Sequence, residues 1–190
     1  MQRDKLELLL EKTQTVFDIK ELAAAWDYLD YKKVKELARY YSGKQKLLRV
    51  AHGLYSTTDK PKILEVAQKL QTPSYITYHT ALSIHGINFQ FYSNIHCFSK
   101  RKKEVVVLGQ KIIYHQTKLE TLFNPLGIEK KEGYYLASLE RSICDSLYLS
   151  PGLAFDNLKN INSEKILEIS QIYGNKRVER EILKIVKYLD

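Results

Sequence analysis

Asp30-Tyr-Lys-Lys-Val-Lys-Glu-Leu-Ala-Arg-Tyr-Tyr-Ser-Gly43, continuing as Lys44-Gln-Lys-Leu-Leu-Arg-Val-Ala-His-Gly-Leu-Tyr55, reads as a basic helix running into a basic hairpin. Between Lys32 and Arg49 stand seven Lys or Arg and a single acid, Glu36. Val34, Leu37, Ala38 and Tyr41 fall at i, i+3, i+4, i+7 and make one apolar stripe. The opposite face carries Lys32, Lys35, Glu36 and Arg39, with Lys33 and Tyr40 at its edges. One side is thus fitted to a core and the other to a polyanion. Asp30 can cap the helix start, and Gly43 can supply the left-handed residue that ends it. Leu47 and Leu48 then open a strand, Ala51-His52-Gly53 can turn, and Leu54 to Thr57 returns.

Working upstream, Phe17-Asp18-Ile19-Lys20-Glu21-Leu22 has the spacing of a capping box with its hydrophobic staple: Asp18 at N-cap, Glu21 at N3, Phe17 against Leu22. An earlier helix is expected over about Asp4 to Lys12, burying Leu6, Leu9 and Leu10. This order predicts a winged helix-turn-helix over residues 1–59, in which one helix enters the major groove and a wing grips the backbone. Lys32, Lys33, Lys35, Arg39, Lys44, Lys46, Arg49 and His52 are the candidate DNA-binding residues. Arg39 is suited to bidentate base reading, and Lys33, Lys44, Lys46 and Arg49 to phosphates. Glu36 can pair with Lys32 or Arg39, or accept from a cytosine amine.

The 190 residues, 44% of them hydrophobic, suffice for ordinary globular cores, and the net charge of +8 favours acidic partners. Cys97 and Cys144 lack any C-x-x-C spacing and are expected as buried thiols in a reducing compartment. No secretory signal, long apolar run or lipidation motif is visible, which predicts a cytoplasmic protein without a membrane partner.

Asp59-Lys60-Pro61 marks the expected boundary with a mixed α/β unit over residues 60–190, making the whole chain α+β. Its expected parts are a helix over Lys62 to Leu70 and a second from Thr77 to Gly86. Strands follow at 94–98, 104–108 and 110–115, turning at Gly109-Gln110, with another over Gly133 to Ala137. A helix capped by Ser138 and two C-terminal helices, Ser163 to Tyr173 and Lys176 to Leu189, complete it. Lys100, Arg101, Lys102 and Lys103 form a second basic run, read either as a solvated turn or as a nucleic-acid or partner patch.

Enzymatic signals are sparse. His79 and His85 are six apart and cannot share a metal from one regular helix face, and no His-Glu-x-x-His, phosphate-binding glycine loop or nucleophile elbow occurs. Arg141 and Asp145, four apart, read as a surface or interdomain ion pair before a catalytic one. Glu104 and Lys111 echo a nuclease core without its companion Asp. No cofactor, metal or catalytic residue is expected. The alternative is a nuclease or nucleic-acid-modifying enzyme that uses the winged helix for delivery.

Three motifs carry a family resemblance: Arg49-Val-Ala-His-Gly53-Leu-Tyr55; Tyr75-Ile76-Thr77 followed by Ala81-Leu82 and His85-Gly86; and Leu139-Glu140-Arg141-Ser-Ile-Cys-Asp145-Ser-Leu147-Tyr148. In this order and spacing, over nearly the whole length, the chain resembles the AbiEi-type antitoxins and regulators of bacterial abortive-infection (type IV toxin–antitoxin) operons. The resemblance implies an N-terminal winged helix that represses its own operon; separately, the small footprint of one such unit predicts two copies on inverted repeats, as a dimer on DNA. The resemblance implies also a C-terminal unit that counters a nucleotidyltransferase-like toxin in phage defence, without requiring a stable complex. Trp26-Asp-Tyr-Leu-Asp30 departs from the family pattern, where many relatives have a Gly-containing turn.

Overall fold

The computed structural model describes residues 4–88 and 93–189. The chain is mixed α+β, with two sheets. The first comprises α1 (Glu7–Leu10), β1 (Val16–Asp18), α2 (Ile19–Trp26), α3 (Tyr31–Gly43), β2 (Leu48–Ala51) and β3 (Leu54–Ser56), with the three strands in the order β1-β3-β2, both pairings antiparallel. Its core is Leu9, Phe17, Leu22, Trp26, Val34, Ala38, Tyr41 and Tyr55. Helix α1 is shorter than its expected span and Leu10 points outward, 60% exposed. The capping box forms as read: the Glu21 amide donates to Asp18 and the Asp18 amide to Glu21, both at 2.8 Å.

Both ends of α3 correct or complete the sequence reading. Asp27 takes the left-handed conformation, at φ 56°, and closes α2. Asp30 caps α3 by accepting from the Lys32 amide at 2.8 Å. Gly43 is not the left-handed stop. It is the last helical residue, and Gln45 at φ 58° takes that role two positions later. The Lys46 amide donates to Tyr41 and the Gln45 amide to Ser42, the paired bonds of a Schellman ending. A side chain in that region costs roughly 1 kcal/mol that glycine avoids. Gln45→Gly is therefore expected to stabilise the protein by about 0.5–1 kcal/mol, raising its melting temperature by a few degrees. A lower melting temperature would mean that the ending is held by the Gln45 side chain.

The second sheet has six strands in the order β6-β7-β5-β4-β9-β8, comprising β4 (Ser74–Ile76), β5 (Ile95–Ser99), β6 (Lys103–Val107), β7 (Gln110–Gln116), β8 (Ile128–Lys130) and β9 (Tyr135–Ala137). Pairs β5–β7 and β4–β9 are parallel and the others antiparallel. The β6–β7 turn falls on Leu108 and Gly109, both left-handed, one residue earlier than expected. That is the pattern of a two-residue type I′ hairpin.

Helix α4 (Ile63–Leu70) covers one face of this sheet. There the Tyr114 hydroxyl donates to the Ala67 carbonyl and the Ser74 hydroxyl to that of Gln68. The other face meets α5 (Tyr78–Ile84) and α7 (Leu139–Leu149), with α8 (Ser163–Gln171) and α9 (Lys176–Leu189) packed outside α7; α6 (Leu119–Phe123) is a short link after β7.

Helix α4 also joins the two sheets. Val66 and the partly buried Ile63 and Leu70 pack with Val16, Val50 and Leu54 of the first sheet and Val107 of β6. Glu65, fully buried, accepts from the Thr15 amide at 2.8 Å, the Val16 amide at 2.9 Å and the Thr15 hydroxyl at 3.1 Å. Gly133, at φ +83°, leaves the room for it, because a Cβ there would stand 2.6 Å from the Glu65 carboxyl carbon. Lys69 pairs with Glu21, so α4 also grips the residue that caps α2.

The ion pair expected at a surface or interdomain boundary lies inside the second unit. Arg141 and Asp145 on α7 are both completely buried, 3.4 Å apart. Asp145 also accepts from the hydroxyls of Thr77 at 2.6 Å, Tyr173 at 2.5 Å and Tyr75 at 3.1 Å. Arg141 donates further to the Leu126 and Thr121 carbonyls and to Tyr75. Burial pushes the Asp145 carboxyl above its usual range, while Arg141 and the three hydroxyls pull it back. Thr77 thus spends its hydroxyl on Asp145 and makes no side-chain cap on α5, whereas Ser138 caps α7 by accepting from the Arg141 amide. Cys97 and Cys144 are free, buried thiols, and burial pushes both up.

Candidate nucleic-acid interface

Val34, Ala38 and Tyr41 anchor α3 in the first core, with Leu37 half-buried beside them. The rest of the helix surface therefore faces solvent. With the whole chain in place, Lys32, Lys33, Lys35 and Arg39 on α3 are all exposed. So are Lys44 and Lys46 in the following turn, Arg49 on β2 and His52 in the hairpin turn. None of the seven cations makes an ion pair among the described residues, and Glu36 pairs with neither Lys32 nor Arg39. Lys46 does lie near Asp4, whose carboxyl is held below its usual range by the Leu6 amide first, then by the Tyr41 hydroxyl and the Lys46 charge.

Hairpin and helix are brought together by the Schellman ending. An open cleft of about 260 Å³ separates them, lined by Gln45, Lys46, Arg49 and residues 57–59. The hairpin turns at His52-Gly53, with Gly53 at φ +70° and Ala51 opposite Leu54. A register shift between Arg49 and Ala51 leaves Val50 as a bulge, which increases local twist.

Apart from Tyr40, which the helical wheel places at the edge of the basic face, sequence reasoning missed the apolar contribution to this surface. Leu29, in the α2–α3 turn, is 99% exposed, and Tyr31 and Tyr40 on α3 are more than half or about half so. The available signal was positional: Leu29 sits outside both apolar stripes, in a turn too short to fold back.

The second basic run is placed elsewhere. Lys100, Arg101, Lys102 and Lys103 are exposed between β5 and the first residue of β6, and the Arg101 carbonyl accepts from Gln71 and Ser99 at 2.6 Å. This seats the run at the C-terminal end of α4, about four strand residues, or roughly 13 Å, from Val107, where β6 meets the hairpin cluster. Glu104 pairs with Lys111 at 2.8 Å on the open sheet surface. Asp145, the other acid considered for metal chemistry, is enclosed by the side chains of Arg141, Tyr75, Thr77 and Tyr173 and fully shielded from solvent.

The histidines assemble differently from their sequence pairing. His85 hydrogen-bonds the Ala137 carbonyl at 2.8 Å and acts as a packed residue at the end of α5. His79 instead meets His96 and, beside it, His115, because parallel pairing of β5 and β7 brings the latter two together. Their rings stack at 5.2 Å with His96 Nδ1 and His115 Nε2 2.9 Å apart, so one nitrogen donates and the other accepts. Burial and the neighbouring His115 push His96 down to about 3, and burial lowers His79 and His115 as well. All three shifts favour the uncharged ring. No group of three His, Cys, Asp or Glu side chains is arranged to hold a metal ion among the described residues.

No family model matches the chain, and no curated protein does either. No helix among the described residues is long and apolar enough to cross a membrane.

Proposed function

We propose that residues 1–59 form a winged helix-turn-helix that binds duplex DNA, and that the protein is the autoregulating repressor and antitoxin of an abortive-infection pair. The observation that carries the DNA-binding half is the α3 surface. Its apolar side is locked into a core, and its cationic side is exposed, without an ion pair among the described residues, and continuous with a basic hairpin. A helix so held can enter a major groove while the hairpin reaches the flanking backbone.

Arg39, Lys35 and Lys32 are the groove-facing cations, with Arg39 placed for a guanine edge. Leu29 and Tyr31 add apolar surface at the leading end of α3, suited to a thymine methyl. Lys33, Lys44, Lys46, Arg49 and His52 are backbone contacts. One such unit covers a small footprint, so two copies on inverted repeats, about 34–36 Å apart centre to centre, supply operator length. The antitoxin half rests on the family resemblance of the three motifs. The toxin it implies is nucleotidyltransferase-like, and a stable complex with it is not required.

The test uses duplexes from the region upstream of the coding frame and of scrambled sequence, titrated at several salt concentrations. Arg39→Ala is expected to cut the preference for the upstream duplex by about 5- to 150-fold, equivalent to roughly 1–3 kcal/mol. Arg49→Ala, which breaks no ion pair among the described residues, should weaken both duplexes alike and reduce the salt slope by about 0.9. If neither variant changes binding, this surface is not the interface. Co-expression of the neighbouring reading frame tests the other half: toxicity relieved by this protein supports antitoxin action, and unrelieved toxicity rejects it.

A further inference from the structure

Helix α9 carries a second cationic surface that the α3 reading does not use. Its buried side is Val178, Ile182 and Val186, with Ile185 half-buried, packed on α7 and α8. Directly opposite stand Lys176, Arg180, Lys184 and Lys187, at i, i+4, i+8 and i+11, all exposed. They form a line about 16 Å long with a step of about 6 Å between four-residue neighbours. None makes an ion pair among the described residues. The two acids of the helix, Glu179 and Glu181, lie on its flanks, partly buried, and Glu181 accepts from the Gly152 amide at 3.3 Å. Leu183 and Tyr188, 48% and 83% exposed, border the line.

A helix face meant only for solvent gains from opposite charges at i, i+4, and like charges at that spacing destabilise it by a few tenths of a kcal/mol each. Here every step along the line joins two cations. A repeating polyanion reverses the sign of that cost. Because the apolar side of α9 is already buried in the protein, the helix is not free to lie in a bilayer surface. Placement supplies the second argument. The first sheet and α4 cover one face of the six-stranded sheet, and α9 is outermost on the other. Its cations therefore do not extend the α3 surface.

We infer that α9 is a second, sequence-independent contact surface for the phosphate backbone of duplex DNA; where the α3 reading also holds, one chain holds two duplex segments on opposite sides. This does not require the α3 reading to be correct.

The experiment compares three full-length proteins: the parent, Arg180→Ala with Lys184→Ala and Lys187→Ala, and Lys35→Ala with Arg39→Ala. Each is titrated with a duplex of arbitrary sequence between 50 and 200 mM salt, a range over which phosphate contacts are strongly expressed. The α9 variant should lose up to about 2.7 from the slope of log affinity against log salt, at about 0.9 per phosphate contact. Its preference for the upstream duplex should stay unchanged. A duplex immobilised on beads and loaded with parent protein should capture a second, labelled duplex, and the α9 variant should lose that capture. Melting temperature serves as the folding control, expected to be unchanged or slightly raised. Should alanine disturb the helix, glutamine at the same three positions repeats the test. An unchanged slope, or losses confined to single-stranded RNA or anionic vesicles, overturns the inference. Loss of slope in the α9 variant beside an inert α3 variant supports it and rejects the α3 reading alone.

Discussion

Asp145→Ala is expected to lower folding stability by about 3–5 kcal/mol, the usual cost of removing one partner of a buried ion pair. The substitution would leave the Arg141 guanidinium in a fully enclosed site with no compensating charge. It would also deprive the hydroxyls of Tyr75, Thr77 and Tyr173 of their shared acceptor. All four groups donate toward Asp145, so no rearrangement among them replaces it. At about 2–4 °C per kcal/mol for a chain of this size, the melting temperature should fall by roughly 6–20 °C. Arg141→Met combined with Asp145→Leu should recover much of the loss, since an apolar pair of similar volume removes the stranded charge. Thermal and urea denaturation followed by far-ultraviolet circular dichroism measures both. A single variant within about 1 kcal/mol of the parent would show that the carboxylate does not bind these donors in solution.

Glu65→Ala should cost about 2–4 kcal/mol, and the damage should be localised. Each hydrogen bond to a charged group contributes about 1.5–3 kcal/mol, and a buried donor left unmet costs about 1–3. The Val16 amide has Glu65 as its side-chain acceptor, and Val16 itself is fully buried. Glu65→Gln keeps one acceptor oxygen and should lose less than half as much. Amide hydrogen exchange gives the diagnostic readout. Thr15 and Val16 should exchange faster in Glu65→Ala while the core of β5 and β7 keeps its protection. Uniform loss of protection across both sheets would mean that Glu65 supports the whole fold and not the seam between its parts.

The sequence disclosed local order well and distant pairing poorly. The capping box at Asp18, the apolar stripe of α3, the Ser138 cap and the bounds of α9 all rest on contacts within four residues. Short-range chemistry settles those. The left-handed stop at Gln45 escaped notice because glycine at 43 offered a more permissive backbone two positions too early. The burial of Arg141 and Asp145 depends on Tyr75, Thr77 and Tyr173, up to 70 residues away. Helical spacing alone cannot tell such a pair from a surface one. His79, His96 and His115 meet only because β5 and β7 run parallel, an arrangement that alternation of side chains does not encode. For the candidate interface, the cations were legible as a run of charge. Leu29 and Tyr31 were not, since exposed apolar residues carry no periodic signature.

The seam at α4 governs how the chain can be dissected at the bench. A fragment ending near Thr58 would strip Val16, Val50 and Leu54 of the cover that Val66 and its neighbours give them. It would likewise take Glu65 from the Thr15 and Val16 amides. Such a piece would present a greasy, half-satisfied sheet and invite clumping, and its behaviour would say little about the parent. Carrying the cut past Leu70 keeps that cover with the piece.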